Sequence, residues 1–233
     1  MTIKEAHPDC FSCLIKNCTI LNNCSEFSLK KINDHKNFVK FRAGQVIIHE
    51  GMPLHDLFFI YHGKVKITST GLYGKQQIKR LSKTGDFVGF RGISNEKSMP
   101  VSITAIEDTE ICTVEKNYFL EILKSDPELM SFTLMFILDE FTKVEQRMKS
   151  LTTMNVREKT AEALLFIYEA FGNTKNGLLE VKLSRQEMAE IAMTTKEQIS
   201  KCLSEFIEEG KIKIQDKNIY LIKIPELRRL IGE

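Results

Sequence analysis

The sequence has no long apolar run and no marked excess of charge of either sign. The apolar stretch from Leu134 to Leu138 is far shorter than the ~20 residues of a membrane-spanning helix. The first residues also lack the apolar core of a signal peptide, so we expect a cytoplasmic protein with no membrane partner. Lysine and arginine number 33 against 31 aspartates and glutamates, and this net charge of +2 does not by itself predict a nucleic-acid partner.

Histidine is scarce as well, and its spacing does not favour a haem or zinc site. No two histidines are four residues apart, as they are in a helical metal site. The five histidines are His7, His35, His49, His55 and His62. With 42% hydrophobic and 27% charged residues the composition is that of an ordinary globular protein, and 233 residues are enough for two domains.

The segment from Leu183 to Ile219 predicts a helix-turn-helix followed by a hairpin. Ser184 and Glu187 have the spacing of a capping box, which predicts a first helix ending near Ile191. After a short turn, Thr195 is placed to cap a second helix. The alternating residues 211–214 and 219–222 flank a polar turn and predict a two-stranded wing.

The second of these helices has an apolar face and a polar face. The apolar face consists of Ile199, Leu203, Phe206 and Ile207, and the polar face of Lys196, Glu197, Ser200 and Lys201. A DNA major groove admits one α-helix, and polar side chains in the first two turns of that helix can reach base edges. We therefore predict that the polar face reads DNA.

The same segment resembles a known family. Ser184, Arg185, Glu197, Ser200 and Lys201 match the signature of the DNA-binding domain of the bacterial cyclic-AMP receptor and fumarate-nitrate reduction regulator superfamily (Crp/Fnr). The resemblance implies a transcription factor, not an enzyme, that binds palindromic double-stranded DNA as a homodimer and contacts RNA polymerase. One departure is Lys201, where the family usually has arginine. Lysine lacks the fork that binds guanine in a bidentate way, so the half-site need not be the usual one.

The resemblance also implies a role for each residue at this surface. We expect Glu197 to accept a hydrogen bond from a cytosine amino group, with Ser200 and Lys201 on the neighbouring bases. The residues expected to hold phosphates are Ser184, Arg185 and Lys196, and Gln186 and Thr195 complete the expected DNA-binding set.

Residues 38–114 consist of short β-branched and aromatic runs separated by glycines, which predicts an antiparallel roll or barrel. The turns at residues 42–45, 61–66 and 85–90 resemble those of the cyclic-nucleotide-binding fold, and the last is most similar to the redox-sensing branch. The predicted strands are Val46–Ile48, Leu57–Tyr61, Val65–Thr68, Gln77–Leu81, Phe87–Phe90, Ile103–Ile106 and Ile111–Val114.

The sequence does not favour a cyclic nucleotide in this roll. In members that bind one, a glutamate holds the ribose and an Arg-Ser pair neutralises the phosphate. The corresponding positions here fall at Phe90 and at Pro100-Val101. A buried phosphate without a compensating cation is costly, so we expect the roll to have lost this ligand.

Four of the six cysteines lie within the first 24 residues, spaced C-x2-C-x4-C-x5-C. Thiolates bind iron-sulfur clusters and zinc, and four of them suffice for either group. The resemblance to redox-sensing members implies a [4Fe-4S] cluster held by Cys13, Cys18, Cys24 and the distal Cys112, with Cys10 as the replacement ligand. The family's C-x2-C-x5-C is not reproduced here, so zinc and a thiol switch remain alternatives. Cys202 is expected to be a buried hydrophobic residue.

Asp126-Pro127 predicts the start of a long helix, since proline is tolerated in a first helical turn. An apolar heptad seam with charged flanks follows, which is typical of a two-stranded coiled coil. The predicted dimer interface consists of Leu134, Ile137, Phe141, Val144, Met148 and Leu151. Asn155 with Glu158 then predicts a further capped helix that ends at Gly172.

We therefore predict an α+β protein: a cysteine-rich segment (1–24), an antiparallel β-roll sensor of the cyclic-nucleotide-binding-like jelly-roll type (25–125), a dimerisation helix (126–153) and a winged helix-turn-helix (154–233). The family implies that an intact cluster favours the DNA-binding dimer and that oxygen or nitric oxide reverses it. Two alternatives remain. One is a zinc or thiol-switch N-terminus with a small-molecule effector in the roll, and the other is a thiol redox protein based on the Cys10-x2-Cys13 pair.

Overall fold

A computed structural model of the protein describes residues 8–13, 19–93 and 98–232. The chain divides into two compact units. The first comprises Met1–Ser69 and Ser82–Thr142, and the second comprises Thr70–Leu81 and Lys143–Glu233. Among the described residues no helix is both long and apolar enough to cross a membrane.

The roll consists of two four-stranded sheets with the strand orders β1-β8-β3-β6 and β2-β7-β4-β5, and most of β5 is assigned to the second unit. The pairs β1/β8, β3/β8, β3/β6, β2/β7 and β4/β7 are all antiparallel. The strands are β1 (Asn37–Phe41), β2 (Val46–Ile48), β3 (Asp56–His62), β4 (Lys64–Thr70), β5 (Gln76–Lys83), β6 (Phe87–Val88), β7 (Ser102–Ala105) and β8 (Thr109–Glu115).

A cluster of aromatic side chains lies in the otherwise mainly aliphatic core of this roll. The ring of Phe59 in β3 stacks on Phe87 in β6 with centroids 4.9 Å apart, and both lie 6.0 Å from the ring of Phe119. Gly63 makes the tight turn between β3 and β4 with φ of 109°, and a Cβ there would lie 2.5 Å from the Thr109 hydroxyl oxygen. Only glycine fits this turn, which connects a strand of one sheet to a strand of the other.

Helices α1 (Glu26–His35), α2 (Lys116–Ser125) and α3 (Pro127–Thr153) complete this part of the chain, and α3 continues into the second unit. Asp126 caps α3 by accepting a hydrogen bond from the backbone N–H of Leu129, at 3.0 Å. Its other carboxylate oxygen accepts bonds from the backbone N–H and the hydroxyl of Ser25, at 3.0 and 2.7 Å. Ser25 is the N-cap of α1, so one carboxylate joins the starts of two helices.

The second unit contains the predicted winged helix-turn-helix. Its elements are α4 (Val156–Phe171), α5 (Arg185–Ala192), α6 (Lys196–Glu208), β9 (Ile212–Gln215), β10 (Asn218–Leu221) and α7 (Ile224–Leu230). Capping boxes begin α4, α5 and α6, at Asn155, Ser184 and Thr195. The predicted fold class, with an antiparallel roll, a long helix and a winged helix-turn-helix, is therefore confirmed. Strand β1 and helices α1, α2 and α7 were not among the predicted elements.

Candidate functional site

Helix α6 presents one face to the core of its unit and the other to solvent. The buried face consists of Ile199, Cys202, Leu203 and Phe206, none of which is more than 6% exposed. Helix α5 ends at Met193 in the left-handed conformation, and the N–H of Thr194 donates to the carbonyl of Ala189 at 3.1 Å. This short turn fixes the start of α6, so that its polar face projects from a rigid support.

Three of the predicted DNA-reading side chains, Lys196, Glu197 and Lys201, are exposed in the first two turns of α6. The backbone N–H of Glu197 and the hydroxyl of Thr195 lower the pKa of the Glu197 carboxyl, so this side chain is an ionised acceptor at neutral pH. The Ser200 hydroxyl donates to the Lys196 carbonyl at 2.8 Å. It therefore faces a DNA base mainly as an acceptor.

The predicted phosphate contacts cluster at the start of α5. The Ser184 hydroxyl accepts from the backbone N–H of Glu187 at 3.2 Å and donates to its carboxylate at 2.9 Å. Arg185 is half-buried beside Met188, and burial lowers the pKa of its guanidinium. Gln186 is exposed and donates to Glu190 at 3.2 Å. Exposed Thr195 serves as the α6 cap.

The wing contributes cations that were not predicted from the sequence. Asp216 and Lys217 form the β9–β10 turn with φ of 50° and 65°, the conformation of a tight hairpin turn. Lys213 and Lys217 are exposed on this hairpin. The signal in the sequence was a polar turn between two alternating strands, and it predicted the hairpin but did not single out these two lysines.

The predicted cysteine ligand Cys112 lies in β8, where it pairs with Phe38 of β1 and Phe59 of β3. Burial raises the pKa of its thiol to about 12. Lys36 lowers this pKa, while the nearby thiols of Cys10 and Cys13 raise it further. Three predicted ligands are therefore close enough to influence each other electrostatically.

Cys10 is attached to the same side of the roll through helix α1. Its backbone N–H donates to the Asn33 side-chain oxygen at 2.9 Å, and its sulfur lies 3.4 Å from the Lys36 ammonium. Burial raises the pKa of the Cys10 thiol and Lys36 lowers it. Cys24 ends the short helix Ile20–Asn23 and packs with Cys10 and Cys112 against the core. Cys18 lies outside the described residues.

The chemistry of these thiols fits a thiolate-bound group, because sulfur ligands suit both iron-sulfur clusters and zinc. Lys36 adds a cation that would offset part of the negative charge of several thiolates. Within residues 8–13, 19–93 and 98–232, no three potential ligands are close enough together to hold a metal ion. A complete ligand set would therefore require Cys18 or a rearrangement of the other thiols.

The roll positions at which nucleotide-binding proteins of the resembled family hold their ligand are apolar here. The Phe90 ring, at the glutamate position, packs 5.9 Å from the Phe87 ring and 5.2 Å from the Phe136 ring. Val101, at the position of the Arg-Ser pair, is 6% exposed. Neither side chain can bind a ribose hydroxyl or a phosphate.

Helix α3 carries an exposed apolar stripe. Of the predicted seam, Leu134, Phe141, Val144 and Met148 are 55%, 59%, 45% and 65% exposed. Ile137 is half-buried against the core of the roll, and Leu151 is only 7% exposed. These two present less surface to a partner than the prediction assumed. Further exposed apolar residues of α3 are Met130, Phe132, Met135 and Leu138.

Two protein-family models match the chain, the cyclic nucleotide-binding domain over residues 38–126 and the Crp-like helix-turn-helix domain over residues 158–230. Transcriptional regulatory protein btr of Bordetella pertussis is 25% identical over 228 residues, which cover 96% of this chain and 93% of that protein. Transcriptional activator protein FnrL of Cereibacter sphaeroides is 26% identical over 230 residues, which cover 96% of this chain and 91% of that protein. The structure of FixK2 from Bradyrhizobium japonicum matches with a TM-score of 0.74 and 20% identity, covering 84% of this chain and 96% of that one.

The two matched segments correspond to the roll and to the winged helix-turn-helix, in the order in which the chain presents them. The relatives extend along nearly the whole chain and bear the names of transcriptional regulators, not of enzymes. The chain therefore belongs to the Crp/Fnr family of DNA-binding transcriptional regulators.

Proposed function

We propose that the protein acts as a homodimer that reads a palindromic operator with the exposed face of α6. The observation that carries this proposal is the exposure of Lys196, Glu197 and Lys201 on a capped helix whose opposite face is buried. Two such helices about 34 Å apart would enter successive major grooves on one side of a duplex.

Base reading is assigned to Glu197, Ser200 and Lys201. The ionised Glu197 carboxylate can only accept hydrogen bonds, and in the major groove it suits the amino group of cytosine. The Ser200 hydroxyl, whose proton is already donated to the helix backbone, also favours a donor group on the DNA. The Lys201 ammonium would contact an acceptor on a neighbouring base as a single point charge.

The phosphates would be held on either side of this reading helix. Ser184 and Thr195 present helix N-termini, whose backbone N–H groups favour anions. Arg185 and Gln186 are the first residues of α5, Lys196 is the first residue of α6, and their side chains add donors for the DNA backbone. Such contacts fix the position of the protein on the duplex and do not discriminate among sequences.

Dimerisation is assigned to α3. Its exposed apolar side chains Leu134, Phe141, Val144 and Met148 follow one another at intervals of seven, three and four residues, which aligns them along one side of the helix. A partner helix would remove this apolar surface from water, a favourable change of ~25 cal/mol per Å². The exposed charged side chains of this helix, such as Asp139, Glu145 and Lys149, would stay solvated.

The base-reading role is tested by selecting binding sites from random duplexes and measuring affinity for wild type and Glu197→Ala. Loss of one specific contact should cost about 1 to 3 kcal/mol on the selected site and little on unrelated DNA. The matched control is Glu208→Ala, which removes an exposed acid from the far end of the same helix. An equal loss for Glu197→Ala on all sequences would contradict a base-reading role.

We further propose that the cysteine side of the roll carries a [4Fe-4S] cluster responsive to oxygen, nitric oxide or redox state. Support comes from the electrostatic proximity of Cys10, Cys13 and Cys112, and from relatives whose names include FnrL. The expected ligands are Cys13, Cys18, Cys24 and Cys112, with Cys10 as the replacement. Such a cluster supplies a redox- and gas-reactive centre when bound.

Protein purified without oxygen tests this proposal. A cluster predicts a brown protein with thiolate-to-iron absorption that air bleaches. Colourless protein with stoichiometric zinc would instead support the alternative of a zinc-bound N-terminus with an effector in the roll. Protein with neither metal would favour a thiol switch.

Cyclic nucleotides should not bind, because Phe90 and Val101 replace the polar groups they require. By family resemblance RNA polymerase is the expected protein partner.

A further inference from the structure

Arg147, in the part of α3 that belongs to the second unit, contacts three other segments of that unit. Its guanidinium donates to the Glu162 carboxylate of α4 at 3.2 Å and to the carbonyl of Ile191 in α5 at 2.7 Å. It also donates to the carbonyls of Ile78 and Lys79 in β5, each at 3.2 Å.

The contact with Ile191 supplies a hydrogen-bond donor to the C-terminal end of α5. The last carbonyls of a helix have no partner within that helix, and they favour a cation. The last turn of α5 contains no basic residue of its own. Arg147 supplies the missing donor and charge from α3, at the end of α5 that leads directly into the turn before α6.

The geometry of this contact is narrowly defined. The Arg147 and Glu162 side chains are 14% and 12% exposed, and the guanidinium lies 3.8 Å from the centre of the Phe166 ring. The second Glu162 carboxylate oxygen is buried and has no hydrogen-bond partner among the described residues. A buried pair of this kind adds little net stability over an apolar pair, but it restricts how its helices can pack. Arginine is required, because lysine cannot donate in several fixed directions at once.

We propose that Arg147 is a positioning residue for DNA recognition, which fixes the direction of α5, and hence of α6, relative to residues 143–153 of α3. This inference rests on the proposed dimer, because Val144 and Met148 of the dimer seam lie in that same part of α3. In a dimer, the angle set by Arg147 determines the separation of the two reading helices. That separation fixes the half-site spacing that the protein accepts.

The test separates positioning from stability by using the double variant Arg147→Met with Glu162→Met. Replacing both charges with apolar side chains leaves no unpaired buried charge, so the unit should still fold. The double variant nevertheless lacks the donor to the Ile191 carbonyl. The matched control, Lys149→Met, removes one exposed cation from the same part of α3. Circular dichroism and thermal unfolding establish that each variant is folded.

Affinity is then measured on the selected palindrome and on versions with one or two base pairs inserted between the half-sites. Wild type and the Lys149 control should lose about tenfold or more per insertion, comparable to a mismatched base pair. The double variant should bind the original palindrome about tenfold more weakly than wild type. Its affinities for the different spacings should differ by less than about threefold.

A folded double variant with the same spacing preference as wild type would overturn the positioning role while leaving the proposed dimer intact. Wild-type binding that ignores spacing altogether would overturn the dimer itself, and this inference with it. If the double variant fails to fold, Arg147→Lys provides the second measurement. It keeps the charge beside Glu162 and loses the fork, so it should also broaden the spacing preference, and a wild-type preference would again overturn the proposal.

Discussion

Substitution of Asp126 tests the link between the start of α1 and the start of α3. Its carboxylate accepts from the N–H of Leu129 on one oxygen and from the N–H and hydroxyl of Ser25 on the other. Burial raises the pKa of Asp126, but these hydrogen bonds, with the Ser28 hydroxyl, together lower it from 3.8 to about 2. The ionised form is therefore the one that stabilises the fold.

The magnitude follows from this change in pKa. A shift of one pKa unit corresponds to 1.36 kcal/mol, so the ionised carboxylate contributes about 2 kcal/mol at neutral pH. Because the folded pKa lies below the unfolded one, this contribution is complete well above pH 4 and declines as the pH falls toward 2. At pH 3 about 1 kcal/mol of it should already be lost.

Urea unfolding of wild type and Asp126→Ala at pH 7 and pH 3 measures both effects. The variant should be about 2 to 3 kcal/mol less stable at pH 7, which includes the loss of the helix cap, and the difference should shrink at pH 3. Glu128→Ala, in the exposed first turn of the same helix, should change stability by less than about 0.5 kcal/mol. A loss that is the same at both pH values would refute the assigned role of the charge.

Three further predictions concern recognition, assembly and metal binding. Lys201→Arg should tighten binding to half-sites with guanine at the contacted position by about 1 kcal/mol or more, measured by competition with adenine variants. Phe141→Glu should weaken self-association by about 30-fold or more in sedimentation experiments, whereas Glu145→Ala on the same helix should leave it unchanged. Cys112→Ser should lower the iron or zinc content of anaerobically prepared protein, and Cys202→Ser should not; equal content in both variants would exclude Cys112 as a ligand.

Much of the DNA-binding unit could be predicted from the sequence because its signals are local. Ser184, Thr195 and Asn155 each cap a helix within three residues of their partners, and the structure contains all three capping boxes. The strands of the roll were also predictable, since each is a short β-branched or aromatic run between turns. Strand β1 was not, because its residues alternate weakly and its pairing depends on distant β8.

The features that depend on distant contacts could not be predicted. Asp126 was recognised as a helix start, but its bonds to Ser25 join residues 101 positions apart. The heptad pattern places Arg147 outside the apolar seam, where a charged residue is expected to be solvated, whereas its guanidinium is largely buried between segments. Leu151 fitted the heptad and is nevertheless buried within its own unit. Periodicity identifies a face of a helix, but only the tertiary fold decides what covers each part of that face.

The stoichiometry of the complex with a selected palindrome tests the central claim most directly. Sedimentation of the protein with such a duplex, at matched concentrations and with a scrambled duplex for comparison, measures how many chains bind. Two chains should bind each palindrome. The two half-sites should be half-occupied at the same protein concentration. A single chain per duplex, or equal binding to the scrambled duplex, would contradict a dimer that reads DNA through paired α6 helices.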